Sequence, residues 1–147
     1  MILNKQIGVY LNHVHFLFKQ YISRSFLSRG FDLTPEQFLV MDTLWDEGVL
    51  NQQQIAQYIQ KDKNSVTKLI DGLEKRGLVQ RVSTGDDRRM NNIVLTETAR
   101  HIQDEVVEVA LKSVDKICEG ISADDMQAFI SVLKRMDENM NQLSPTT

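Results

Sequence analysis

The chain has 147 residues and a mass of 16.9 kDa; 41% of its residues are hydrophobic, 25% are charged, and its net charge is −3. These values lie close to ordinary globular usage and exclude a largely disordered chain. No run approaches the roughly 18 apolar residues of a membrane span, and polar residues interrupt Met1–Gln6 before a signal-peptide core can form. The single cysteine, Cys118, has no partner for an internal disulfide, which fits a reducing cytoplasm, and with three histidines it is too little for a structural zinc cluster.

Charge is unevenly distributed. Residues 1–35 carry +3, residues 36–60 carry −4, residues 61–96 carry +3 and residues 97–147 carry −5. A basic segment is therefore set inside an acidic chain, a pattern that an ordinary mixed surface also gives.

Leu3, Ile7, Tyr10, Val14, Leu17 and Tyr21 step by three and four, which predicts one apolar stripe on a long helix, widened by Phe18 and Ile22. Gly30 ends it. Thr34 as N-cap, Pro35 at the first helical position and Gln37 at the capping-box position start a second helix that carries Phe38, Val40, Met41, Leu44 and Trp45 to Gly48. Asn51 with Gln54 starts a third, with Ile55, Ala56 and Ile59 apolar. After the polar Lys61-Asp62-Lys63-Asn64, a fourth helix runs from about Asn64 to Arg76, with Val66, Leu69, Ile70 and Leu73 inward and Gly77 as its stop. Two helices joined by a turn of about four residues have the dimensions of a helix-turn-helix.

The alternating stretch 78–82 and the stretch 92–95 then read as two strands around the polar, basic tip Thr84–Met90, a hairpin or wing. Thr96 caps a long helix through Ala99, Ile102, Val106, Val109 and Val114 to Gly120. Ser122 with Asp125 starts a last one, where Met126, Phe129, Leu133, Met136, Met140 and Leu143 form a second apolar stripe, and residues 144–147 form a flexible tail. The predicted fold is mainly α with a small β wing: a winged helix-turn-helix over 31–97, flanked by helical regions 1–30 and 98–143. Large apolar stripes on terminal helices call for a partner surface, which a two-fold dimer supplies.

The ordered set Leu33–Phe38, Gln54-Ile55-Ala56 and Asn64–Val79 closely resembles the winged helix of the multiple antibiotic resistance regulator (MarR) family. The segment Asp86–Thr96 is similar to that family's D-x-R wing followed by its L-T helix start. The resemblance covers roughly residues 33–100. It implies a homodimeric transcriptional regulator that binds double-stranded DNA, most often a repressor, with the terminal helices as dimerisation region and, in many members, release by a small anionic or aromatic effector.

On that reading the leading end of the fourth helix enters the major groove, and Lys63, Asn64, Ser65, Thr67 and Lys68 are the candidate contacts. Asn and Ser suit base edges, and Lys suits phosphate or guanine; either Asn64 or Ser65 alternatively serves as the helix cap. On the wing, Arg89 is placed to enter a narrow minor groove and Asp87 to hold an arginine rotamer, with Arg88 facing phosphate or solvent. Arg81, at the wing base, is expected at phosphate. Tyr10, His13, Phe16, Met41 and Trp45 are the candidate lining of an effector crevice, although an aromatic stripe at helical spacing is more often core. His13 and His15, two residues apart, point to different helix faces and cannot share a metal.

Cys118 is expected in a buried apolar role rather than as an oxidant sensor. No nucleophile elbow, phosphate loop or metal motif is present, so no enzymatic activity, cofactor or metal is expected. The alternative to DNA binding is a winged-helix protein-interaction adaptor, which the net negative charge favours and the retained cations of the wing and the fourth helix oppose.

Overall fold

The structure, a computed structural model, describes residues 3–84 and 87–143, with side chains for 5–83 and 91–143. Six helices and three strands follow in the order α1 (Leu3–Ser28), α2 (Pro35–Glu47), β1 (Leu50–Asn51), α3 (Gln52–Ile59), α4 (Lys63–Lys75), β2 (Val79–Thr84), β3 (Asp87–Leu95), α5 (Glu97–Ile117) and α6 (Ala123–Gln142). By packing, the chain divides into two compact units, Met1–Ser113 and Val114–Thr147.

Helix starts lie where hydrogen-bonding side chains meet orphan amides. Thr34 accepts from the Gln37 amide and Gln37 Oε1 accepts from the Thr34 amide, both at 3.2 Å, with Pro35 contributing no donor at the first position. Asn51 and Gln54 make the same reciprocal pair at 2.8 and 2.9 Å. Gly77 at φ 73° lets the Leu78 amide turn back onto Leu73 O at 3.0 Å, which ends α4. The Thr96 hydroxyl donates to Gly77 O at 2.7 Å and accepts from the Ala99 amide, so one side chain ties the start of α5 to the end of α4.

The core of the first unit draws on every element there. Ile22 and Phe26 from α1 meet Val40, Met41 and Leu44 of α2, Ile55 of α3, and Val66, Ile70 and Leu73 of α4; Leu50 of β1, Val79 of β2, Ile93 of β3 and Ala99 and Val106 of α5 join them. Phe26, Phe38 and Trp45 stack in series, with ring centroids 5.6 and 6.4 Å apart. Helices α2 and α4 approach closely at Gly72, where a Cβ would stand 2.7 Å from Gln37 Nε2.

The sheet is antiparallel in the order β1-β3-β2, with Leu50 opposite Ile93 and Arg81 also opposite Ile93. The two-residue β1 is an addition to the sequence reading. Asn51 is both its last residue and the cap of α3, so the strand leaves too few residues for an alternating pattern to register.

On α1, the buried residues Ile22 and Phe26 lie near the C-terminal end, whereas the expected stripe of Ile7, Tyr10, Val14, Leu17 and Tyr21 is exposed. Within the second unit, α6 starts as expected, with the Ser122 hydroxyl accepting from the Asp125 amide at 3.1 Å. It buries no residue, and Phe129, Met140 and Leu143 are exposed. Cys118 is a free thiol and only half-buried rather than buried. Among the described residues no helix is long and apolar enough to cross a membrane.

Candidate nucleic-acid interface

The α3–α4 pair is joined by Gln60, Lys61 and Asp62. Gln60, with φ 55° and ψ 50°, takes the left-handed conformation that stops α3 and turns the chain. The cap of α4 is Asp62, whose carboxylate accepts from the Ser65 amide at 3.1 Å. Neither Asn64 nor Ser65 caps the helix, so that reading of them is corrected: the charged side chain one turn earlier already satisfies the amide. Hydrogen bonds from the Ser65 side chain and then its backbone hold the Asp62 carboxyl below its ordinary range.

With the cap assigned to Asp62, the leading end of α4 sorts by face. Val66, Ile70 and Leu73 turn into the core. Lys63, Asn64 and Lys68 are exposed, and Ser65 is half-buried. Among the described residues no hydrogen bond or ion pair engages the side chains of Lys63, Asn64 or Lys68. Asn64 and Lys68 are one helical turn apart on the same side. Thr67 faces inward instead: its hydroxyl donates to Lys63 O and accepts from Gln52 Nε2, both at 3.0 Å.

Arg81 differs most from its expected role. Its side chain is 18% exposed and its guanidinium is directed back at the helix pair. Nε donates to Gln52 Oε1 at 3.1 Å, one terminal nitrogen to Glu74 Oε1 at 2.9 Å, and the other to Asp71 Oδ1 at 2.6 Å and Thr67 O at 3.4 Å. Four of the five guanidinium donors are thus engaged within the chain. A phosphate contact would have to break an arrangement in which one guanidinium is shared by two carboxylates, so the structure engages Arg81 internally where phosphate was expected. The sequence reading missed Gln52, Asp71 and Glu74 altogether. Their signal was an acidic pair three residues apart on α4 just before a strand carrying a cation, a pattern also compatible with a solvated face.

The wing itself is formed by β2 and β3, paired from Val79 opposite Leu95 to Ser83 opposite Asn91, with a register shift at Ser83/Thr84. Asp87, Arg88 and Arg89 belong to β3, and their side chains lie outside the described residues, as does the tail 144–147.

The five candidate crevice residues do not come together in the chain. Met41 is fully buried in the core as one of the inward residues of α2. Trp45 is half-buried and lines a cleft of about 290 Å³ with Val49, Val94, Leu95, Arg100 and Gln103. His13 and Phe16 border a shallow open hollow on α1 with Gly8, Val9 and Asn12, and Tyr10 is exposed elsewhere on that helix.

Residues 33–90 match the model of the MarR family. Among solved structures, the chain is similar to reduced AbfR bound to DNA, with TM-score 0.80 and 24% identity over 97% of this chain and 95% of that one. It is similar to BpsR of Bordetella bronchiseptica, whose structure concerns regulation of DNA binding by 6-hydroxynicotinic acid, with TM-score 0.80 and 22% identity over 93% and 96%. It is also similar to NMB1585, a MarR family regulator from Neisseria meningitidis, with TM-score 0.74 and 24% identity over 97% and 96%. These likenesses extend the fold beyond the matched segment to nearly the full chain. The winged helix-turn-helix of residues 33–90 is thus similar to that of the MarR family.

Proposed function

We propose that the chain is a sequence-specific, DNA-binding transcriptional repressor that acts as a homodimer on a pseudo-palindromic site. The observation that carries this reading is the leading end of α4. Among the described residues, the side chains of Lys63, Asn64 and Lys68 stand exposed and unengaged there, on a helix whose amide is already capped by Asp62. Asn64 supplies the hydrogen-bonding pattern that reads a base edge, and the two lysines supply phosphate or guanine contacts, with Ser65 beside them. On this reading the wing supplies Arg89 to the adjacent minor groove and Asp87 to orient it, with Arg88 at phosphate or solvent.

Dimerisation is supported by the terminal helices. The exposed Ile7, Tyr10, Val14 and Leu17 of α1, and Phe129, Met140 and Leu143 of α6, exceed the scattered apolar exposure normal for a monomer. A second copy covers such stripes symmetrically and sets two recognition helices one DNA turn apart.

Selection of bound fragments from a random duplex pool by the purified chain tests the reading. Enrichment of a two-fold site with half-site centres about 10–10.5 base pairs apart is the expected result. No enriched duplex would reject DNA recognition and leave the interaction adaptor. On an enriched duplex, Lys68→Ala should weaken binding to selected and scrambled sequences about equally and lower the salt slope by about 0.9 per phosphate contact.

A further inference from the structure

We propose that Arg81 is a positioning residue that latches the wing to the recognition helix, setting the distance between the two DNA-reading elements without touching DNA. The inference rests on the DNA-binding reading above.

The latch begins at the sheet edge. Strand β2 is an outer strand, and an outer strand presents amides that lack a strand partner. The Arg81 amide donates instead to Glu74 Oε2 at 3.1 Å, so the same carboxylate that holds the guanidinium also terminates the sheet edge. The guanidinium then reaches three points on α4 (Thr67 O, Asp71 and Glu74) and one on α3, Gln52. Gln52 continues to the Thr67 hydroxyl, and Thr67 to Lys63 O in the first turn of α4. An unbroken chain of hydrogen bonds therefore runs from the wing base to the residue where the recognition helix starts.

Only an arginine can close this arrangement. Its planar fork meets acceptors on both sides at once, whereas an ammonium is a point charge with rotatable donors. Electrostatics gives the same direction. Asp71 and Glu74 lie on the helix proposed to enter the groove, and without Arg81 their charges would oppose the phosphates. Held on the protein, Arg81 cancels one of those charges and fixes the wing at one offset from α4. A wing held at that offset makes its contact intramolecular once the helix is seated, which raises affinity with no new contact.

Asp71→Asn separates a latch from a phosphate contact by sign. Asp71 is largely exposed, so the variant leaves the core intact. In the free protein, amide hydrogen exchange over residues 79–83 and 91–95 should accelerate in Asp71→Asn and Arg81→Gln, while residues 40–44 of α2 stay as in the wild type. On the selected duplex, Asp71→Asn should bind about three- to thirtyfold more weakly, the scale of an exposed ion pair lost in both subunits, although it removes a negative charge. The ratio of selected to scrambled binding should fall with the salt slope unchanged. Arg81→Lys, which keeps the charge and loses the fork, should follow Arg81→Gln in exchange.

Tighter binding by Asp71→Asn with a steeper salt slope would overturn the latch, because the freed guanidinium would then be binding phosphate. Unchanged exchange over β2 in both variants would also overturn it. If the wild type enriches no duplex, the DNA-binding reading fails by itself, and the exchange measurement still decides whether the wing is latched to α4.

Discussion

Phe26 and Phe16 occupy the same helix, α1, in opposite environments: Phe26 is 0% exposed against Phe38 of α2, and Phe16 is 62% exposed. The contrast holds for the regions to which they belong. The winged-helix region and the C-terminal part of α1, with Phe26, close a core together with the start of α5; Val40, Ile55, Val66, Ile70, Leu73 and Ile93 are all sealed, and the helix starts of the region are capped by side chains within it. Among the described residues, the N-terminal part of α1 and α6 are amphipathic helices whose apolar faces are left largely exposed, and α6 has no fully buried residue. Helical periodicity alone therefore says that a face is apolar, while burial depends on whether a second element is present to cover it.

The largest expected effect breaks the comparison at Phe26. Phe26→Ala should cost about 3–5 kcal/mol of folding stability, since it leaves a cavity in a closed core, and chemical denaturation at two protein concentrations should give the same loss. Phe16→Ala should instead show a loss that depends on protein concentration, because any contact it makes lies in the dimer. A concentration-independent loss of several kcal/mol at Phe16 would contradict the division.

The next effect concerns the dimer itself. Sedimentation equilibrium at micromolar concentration should give about twice 16.9 kDa for the wild type and a shift toward 16.9 kDa for Val14→Glu. A charge buried without a partner in an interface is costly, whereas the same charge on a solvated helix is not. A wild-type chain that sediments as a monomer would remove the pseudo-palindromic site from the proposal.

Smaller effects follow at the wing and the caps. Arg89→Ala should weaken binding to a selected duplex by about 1–3 kcal/mol per site, measured by fluorescence anisotropy, and leave denaturation unchanged. Thr34→Ala should lower stability by about 1 kcal/mol, since the capping box loses one of its two bonds.

The smallest effect is at Asp62 and differs from Thr34 in its pH dependence. The Asp62 carboxyl titrates below its ordinary 3.8, so the cap's stabilisation is whole above that pH and is lost as the pH falls through the lower folded value. A Tm difference between wild type and Asp62→Ala should therefore appear at neutral pH and close in acid, while the Thr34→Ala difference remains. A gap at Asp62 that is independent of pH would mean that the carboxylate charge plays no part in capping α4.

What the sequence by itself determined is the part of the molecule governed by local chemistry. Pro35 after Thr34, the Asn51–Gln54 pair, Gly77 and Thr96 define helix ends through bonds spanning three to five residues, and they could be read from the chain in order. The order of those elements, with the motif residues on them, was enough for the winged helix and for its likeness to the MarR family over residues 33–90. The exposed Lys63, Asn64 and Lys68 were legible too, because a polar run at a helix start faces outward unless a neighbour claims it.

Only the tertiary structure decided the rest, and in each case the deciding partner lies in another element of the fold. Arg81 turned inward because Gln52, Asp71 and Glu74 converge on it. Thr67 was drawn to Gln52, and Met41 was sealed by the packing of α2. β1 exists because β3 offers it an edge. A cation's affinity for a distant carboxylate, like a strand's pairing with a distant edge, depends on where the fold brings them. That position is fixed by the packing of the whole core and leaves no periodic trace in the local sequence.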